Sequence, residues 1–550
     1  MERPSRNAPN LLLAAALAAS GALTVFLTRH LTFYQDTWAY LITRRQLSFE
    51  AVLKPHNEHI VAIPVLIEQL FLRVFGMGTA RPEYVLLAVA LAVTAWLFFL
   101  YVSRRVGPWL ALLATVALLA LGPAWEVLLW PFELCFVGSV LFGIATLLAL
   151  ERGDRLGDIG ACVLLILSLG SSSLGVVFLI AALVAVAQGR PGTRVARAWV
   201  VVIPAVLFLA WYVGWGHEAE SHVSLRNAFA SPRYVVEGLS ASLASLLGLG
   251  ASPYGDPVDS AWGLALLIAL AIGLAYRQLR RPGFSAGLWP AAAALAAYWF
   301  LAALNQFPGR EAVASRYQYA GAVLLMMVIA NLQGEVRLRG RALIAAVLAT
   351  AVVVGPNLVV LKDAQVPFEE QSVLTRADTA AIEIARRTVP PDFQLNPEIA
   401  GTPSLINVIA GPYLEAVEEF GSPAYTPAEL AAASEPGRRA ADLILSQALP
   451  VSRETRPGAY QPDSAAENCV AAGDSGPPEV RLSPGITRIE LAPGPPADIA
   501  LRRFAVGEYP ATSNGIPGGS VTILRVPRDE APRQPWYLHV EARQAVRVCR

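Results

Sequence analysis

The sequence predicts a polytopic α-helical membrane protein of about eleven spans, followed by a C-terminal extracytoplasmic region made of a helical segment and then a small β-sandwich. Three observations predict it. Apolar runs of roughly 17–22 residues, about the length that crosses a hydrocarbon core, recur through the first two thirds of the chain. Arginines gather in alternate loops between those runs. From about Lys362 the long apolar runs stop, and Asp, Glu and Pro become more frequent.

Of the 550 residues, 55% are hydrophobic and 15% are charged, against about 25% charged in a soluble chain. The net charge of +1 creates no global field that would attract nucleic acid, and basic runs with interleaved aromatics are absent. The expected partner is therefore the lipid bilayer, with no nucleic acid. No phosphate-binding glycine loop, paired CxxC or HExxH occurs.

The first apolar run, Leu11 to Leu27, follows Arg3 and Arg6. Small residues crowd it, as in a signal peptide, but its length and the runs behind it favour an uncleaved helix. Spans are expected near 11–29, 83–102, 108–122, 134–150, 158–173, 174–188, 198–215, 260–276, 286–304, 319–333 and 341–360. With a cytoplasmic N-terminus, the inner loops hold Arg104/Arg105, Arg152/Arg155, Arg190/Arg194/Arg197, Arg277/Arg280/Arg281 and Arg337/Arg339/Arg341. The outer loops hold acids, histidines and aromatics. This pattern places the protein in the plasma membrane with its C-terminal region outside the cytoplasm. Two stretches, His59 to Phe75 with Glu68 and Arg73, and Pro232 to Gly250, fit poorly as spans. Counting either one alone would invert every later loop, so both are read as interfacial helices.

Residues 1–361 thus form the transmembrane domain, 362–452 the helical segment, 453–478 a linker and 479–550 the sandwich. Val373 to Val389 and Leu405 to Phe420 have helical spacing, and Thr426-Pro427-Ala428-Glu429 carries helix-start signals. The linker is rich in Pro, Gly, Ser and Asp. Short runs at Glu479 to Leu482, Thr487 to Leu491, Ile499 to Phe504, Ser520 to Val526 and Trp536 to Val540 read as strands between turns. Cys469 and Cys549 bracket these runs and are expected to form a disulfide if the region is extracytoplasmic. Cys135 and Cys162 lie in apolar runs and read as packing residues.

The chemistry concentrates between Phe33 and His59, in YQDTWAYL and KPHNEH. Ionisable groups beside hydrocarbon are costly, which marks such a cluster as a site. Asp36, beside Tyr34 and Trp38, is either a solvated acid in an aromatic belt or a general base or divalent-ion ligand. His56, Glu58 and His59 offer two imidazoles and a carboxylate to a divalent metal if the segment is helical, or contact the substrate or its phosphate, or else simply line a polar loop. Lys54 adds a cation suited to phosphate. A later outer loop, NQFPGREAVASRYQY, carries Arg310, Glu311, Arg316, Tyr317 and Tyr319. Its arginines either snorkel or offer a planar fork to phosphate. Glu126 and Glu133, in PAWEVLLWPFE, read as solvated acids, and His217, Glu218, Glu220 and His222 as loop residues.

YQDTWAYL, PHNEH and ASRYQY, with an outer first loop and about eleven spans before an outer domain, resemble the GT-C superfamily of polyprenyl-phosphate-dependent membrane glycosyltransferases. The resemblance covers roughly residues 1–360. It implies transfer of a sugar from a polyprenyl-phosphate donor to a glycan, lipid or protein acceptor outside the cytoplasm. It also implies that Asp36 is the catalytic base or a metal ligand, and that Arg316 holds the lipid phosphate. QDT carries one acid where many members carry two, which puts metal dependence in question. The outer sandwich resembles carbohydrate-binding jelly rolls. Two rival readings remain. A transporter or flippase of lipid-linked sugars predicts matched halves with broken helices. The other rival is a non-catalytic envelope protein that binds glycan.

Overall fold

The computed structural model describes residues 7–249, 260–280, 283–334, 336, 338–395, 405, 408–448, 451–458, 469–472, 479–506, 511–531 and 533–549. Chain contacts divide it into two compact units. The first comprises Met1–His30, Gln46–Phe71 and Arg81–Pro367, and the second Leu31–Arg45, Leu72–Ala80 and Phe368–Arg550. Residues 31–45, with Asp36, are therefore part of the C-terminal unit rather than of the helical bundle.

A helix lies under each of the eleven apolar runs. In chain order they are α1 (Ala8–Leu27), α5 (Arg81–Val106), α6 (Pro108–Leu119), α8 (Leu134–Leu150), α9 (Arg155–Ser171), α10 (Gly175–Ala187), α12 (Trp199–Gly214), α14 (Ser260–Arg280), α15 (Leu288–Leu304), α16 (Ser315–Gln333) and α17 (Arg341–Ile384). Between them lie α3 (Phe49–Leu53), α4 (Ala62–Phe75), α7 (Trp125–Leu129), α11 (Pro191–Arg197) and α13 (Leu225–Leu246). Among the described residues, six helices are long and apolar enough to cross a bilayer, or seven if α6 and α7 count as one bent span. That is fewer than the expected eleven. Length accounts for α10 and α15, which at 13 and 17 residues rise only about 20 and 26 Å against a hydrocarbon core of about 30 Å, while α16 has 19 residues but carries Arg316, Gln318 and Asn331.

The two stretches read as interfacial helices differ from each other. α4 is turned inside out, with Glu68 and Gln69 buried while Leu66 and Leu70 are 42% and 56% exposed. An apolar outer face with polar groups inside suits contact with lipid. The second half of α13 is instead buried among α14, α15 and α16 through Ser240, Ala241, Ser242, Ala244 and Ser245. Small side chains there let the backbones approach closely. α16 is central, packing on α5, α7, α13 and α15.

α6 and α7 meet at a 52° bend. Gly122 sits in the break, and a Cβ there would lie 2.0 Å from the Asn357 carbonyl oxygen of α17. Only glycine allows the break to press against α17.

Among the described residues, the second unit holds α2 (Thr37–Thr43), α18 (Ala410–Phe420), α19 (Pro427–Ala432), α20 (Glu435–Ala448) and eleven strands. Thr426 and Glu429 make the expected capping box. β1 (Gln394–Leu395) pairs with β2 (Val408–Ile409). The rest are β3 (Ser452–Pro457), β4 (Cys469–Ala472), β5 (Glu479–Leu482), β6 (Gly485–Leu491), β7 (Ala497–Arg502), β8 (Ala511–Ile516), β9 (Ser520–Val526), β10 (Trp536–Glu541) and β11 (Val546–Cys549). They form two antiparallel sheets, ordered β5-β10-β7-β8 and β3-β9-β6-β11-β4. β9 and β10 alternate buried with less buried positions, so each sheet has an inner face. β4 lies inside the stretch expected as a linker, and so does β3 apart from Ser452. The sequence of β3, SRETRP, is polar because it is an edge strand with no apolar face to bury. Residues 459–468 and 473–478 of that stretch lie outside the described residues.

The helical segment and the sheets are fastened together. The buried Asp442 carboxylate of α20 accepts from the backbone N–H groups of Arg503, Phe504 and Ala505 at 2.8–3.0 Å. Arg503, also buried, forks onto Asp529 at 2.7 and 2.8 Å. Cys469 and Cys549 stand directly opposite on β4 and β11 and are disulfide-bonded, with Cα atoms 4.0 Å apart. The bond closes a loop with a sequence separation of 80. Replacing both cysteines by serine should destabilise the second unit by about 2–4 kcal/mol, read as a lower denaturant midpoint that reductant no longer affects. A wild-type midpoint insensitive to reductant would remove this contribution.

Candidate functional site

KPHNEH forms a turn, not a helix. His56 and His59 exchange both backbone hydrogen bonds at 2.9 Å, and Asn57 takes φ of +50°, a left-handed conformation that Asn tolerates. Glu58 therefore stands at the tip of a two-residue hairpin. Ser173 pins the hairpin: its hydroxyl donates to the Glu58 carbonyl at 3.2 Å and accepts from Ile60 N–H at 3.3 Å. The His56 ring lies 5.3 Å from Phe132 and the His59 ring meets Phe136 edge-on at 5.1 Å. Among the described residues, no three His, Cys, Asp or Glu side chains come together so as to hold a metal ion. The proposed set of His56, Glu58 and His59 lacks that geometry because the turn gives Glu58 to another partner.

That partner is Arg310. Its Nη1 donates to Glu58 Oε1, and His59 Nε2 lies 3.3 Å from the same oxygen. Burial opposes the charge on Glu58, but His59 and Arg310 outweigh it and hold the carboxyl well below the usual carboxylate range. Arg310 also lies over the Phe307 ring at 4.7 Å, and its carbonyl accepts from the Tyr234 hydroxyl at 3.0 Å. The arginine is thus fixed from the α13 side as well as from the hairpin.

Arg316 occupies the first turn of α16. Glu126 of α7 takes its backbone N–H at 2.8 Å, its Nη2 at 2.9 Å and its Nε at 3.4 Å. In return Glu126 N–H donates to the Ser315 hydroxyl at 3.1 Å. A carboxylate at a helix N-terminus is favoured by the helix dipole, so Glu126 both caps α16 and pairs with the guanidinium. The bend between α6 and α7 carries Glu126 to that position. The carbonyl of Tyr317, next in the same turn, accepts from the Tyr298 hydroxyl at 2.9 Å.

Of the residues singled out in the sequence, Glu58, His59, Arg310, Arg316 and Tyr317 therefore converge in the first unit, with His56 at the base of the hairpin. Lys54 is exposed at the end of α3. Asp36 belongs to the second unit, half-buried before α2, beside a Trp38 packed against Phe33 and Tyr413. Glu126 and Glu133 are not solvated acids: Glu126 pairs with Arg316, and Glu133 is 1% exposed. Tyr234 carried no signal in the sequence, since its role depends on where α13 packs.

Because the folded-state pKa of Glu58 lies below that of a free glutamate, its pairing stabilises the fold fully above about pH 4 and is lost as pH falls through the folded value. Glu58→Gln should cost about 1–3 kcal/mol at neutral pH, read as thermal stability in detergent. The gap to wild type should persist down to about pH 4 and close only in stronger acid. A gap already closed at pH 5 would mean that the pair is solvated.

The chain is similar to the crystal structure of ArnT from Cupriavidus metallidurans bound to undecaprenyl phosphate, with 12% identity, a TM-score of 0.45, and coverage of 71% of this chain and 82% of that one. The apo-state structure of the same protein gives 12% identity, a TM-score of 0.44, and coverage of 70% and 82%. No protein-family model matches the chain, and no curated protein matches it. At these TM-scores the likeness carries no argument about what the chain does.

Proposed function

We propose that this chain is a membrane glycosyltransferase that moves a sugar from a polyprenyl-phosphate donor to an acceptor hydroxyl outside the cytoplasm. One observation carries the reading. Two arginines, Arg310 and Arg316, are held by Glu58 and Glu126 at the N-terminal end of α16, where apolar helices end and a lipid phosphate would meet water. In the reaction, the acceptor oxygen bonds to the sugar's anomeric carbon as the bond from that carbon to the phosphate oxygen breaks. The electron pair leaves with the phosphate, whose growing charge the arginines stabilise. The acceptor proton passes to a carboxylate, and Asp36 is assigned that role as general base. Tyr317, Lys54 and His56 are assigned contacts with the donor.

A second reading, a transporter of lipid-linked sugars, draws on the broken α6–α7 pair, since discontinuous helices often build transport sites. The two readings separate on one bond. With a polyprenyl-phosphate sugar and an acceptor in proteoliposomes, a transferase cleaves the sugar–phosphate bond, while a transporter delivers it intact.

Asp36→Asn should lower transfer by about 10²–10⁴-fold with little change in donor retention. Arg316→Lys keeps the charge but loses the bidentate geometry towards Glu126, and should weaken donor binding more than it harms folding. Near wild-type transfer by Asp36→Asn would remove Asp36 from the mechanism.

A further inference from the structure

A cavity lies at the other end of α16. Asn331 is fifteen residues along the helix from Arg316, about 22 Å at 1.5 Å per residue and so most of the way across a hydrocarbon core. Its Oδ1 accepts from Arg105 Nε at 2.9 Å, and its Nδ2 donates to the Tyr101 hydroxyl at 3.0 Å. Here a cavity of about 200 Å³ is lined by Tyr101 and Arg105 of α5, Glu151 after α8, Gln188 after α10, Arg197 of α11 and Gly287 before α15. A Cβ on Gly287 would lie 2.5 Å from Asn331 Oδ1 and 3.0 Å from Arg105 Nη2, so only glycine lets this pair close against the N-terminus of α15.

The charges do not balance. Arg104 and Arg105 share Glu151, and Arg197 pairs with Asp158 at 2.6 Å. Three arginines thus face two carboxylates, and the start of a 17-residue helix adds positive dipole. Arg105 and Arg197 are largely buried, at 12% and 19% side-chain exposure, yet Arg197 Nη1 makes no hydrogen bond among the described residues. On the elements that supply the lining, Leu183 of α10 and Trp289 of α15 are 54% and 53% exposed, and Phe284, three residues before Gly287, is 52% exposed. Such a surface suits acyl chains and the interfacial zone of a bilayer.

We propose that this cavity binds the phosphodiester headgroup of an anionic phospholipid from the leaflet opposite the Arg310 and Arg316 site. Arg197 Nη1 and the remaining Arg105 N–H groups donate to the phosphate oxygens, and the acyl chains lie along Leu183 and Trp289. Basic pockets between helices at the cytoplasmic face commonly hold such lipids. The inference rests on the apolar helices crossing a bilayer and is independent of the transfer reaction proposed above.

The test uses the full chain in neutral detergent, offered equal amounts of a phosphatidylglycerol and a phosphatidylcholine with the same acyl chains, with bound lipid counted by native mass spectrometry. Phosphatidylglycerol should be retained about tenfold more, because phosphatidylcholine carries the same phosphodiester beside a choline cation that the unbalanced arginines repel, and Arg197→Gln should remove most of that preference. Arg197 also ties α11 to Asp158, so Gln188→Glu serves as a second variant. It places a negative charge on the exposed rim and should weaken retention similarly. Arg233→Gln, an exposed residue on α13 far from this cavity in the chain, should leave the preference unchanged. Equal retention of the two lipids, or a preference that survives both Arg197→Gln and Gln188→Glu, would overturn the proposal. Displacement of phosphatidylglycerol by millimolar inorganic phosphate would also overturn it, marking a free-phosphate site instead.

Discussion

An arginine at the end of an apolar helix must find an anion, and the first unit is organised by that demand. Arg310 meets Glu58, Arg316 meets Glu126, Arg105 meets Glu151 and Arg197 meets Asp158. Each pair joins elements distant in sequence, so each also decides which helices stand side by side. Breaking such a pair leaves a charge with poor solvation, which costs far more than the intact pair contributes. The pairs are therefore better understood as constraints on arrangement than as sources of stability.

The backbone is shaped to meet them. The break between α6 and α7 turns a short helix so that Glu126 reaches the first turn of α16, and Gly122 permits that break to lie against α17. The hairpin at Asn57 does the same for Glu58, lifting its carboxylate to the tip where Arg310 arrives. At the other end of α16, Gly287 leaves room for Arg105 and Asn331. A proposed phosphate site built this way has its cations already oriented but partly occupied by carboxylates. An incoming phosphate would compete with Glu58 and Glu126 for the same N–H groups, which favours a ligand whose charge grows during reaction over one that merely binds.

The second unit answers a different problem. One of its sheets ends in the polar edge strand β3, and its helical segment is held to the sheets through Asp442. That carboxylate, accepting from three successive backbone N–H groups, makes the segment and the sheets one body. The disulfide joins β4 to β11 within one sheet, where cross-strand neighbours already stand opposite.

Periodicity and residue type over a few turns were enough to place the long helices, most of the inner strands and the capping box at Thr426, although Val408 and Ile409, expected to be helical, form β2. The sequence also marked Glu58, His59, Arg310, Arg316 and Tyr317 as unusual, since charged and aromatic groups beside apolar runs stand out locally. It did not reveal who pairs with whom. Glu126 looked like a loop acid because its partner lies 190 residues away. β3 was missed because an edge strand needs no apolar alternation, and the PHNEH turn because Pro55 and Asn57 allow both a helix start and a hairpin. Those outcomes were decided by tertiary structure, where the cost of burying a charge is met only by a group that folding brings from elsewhere in the chain.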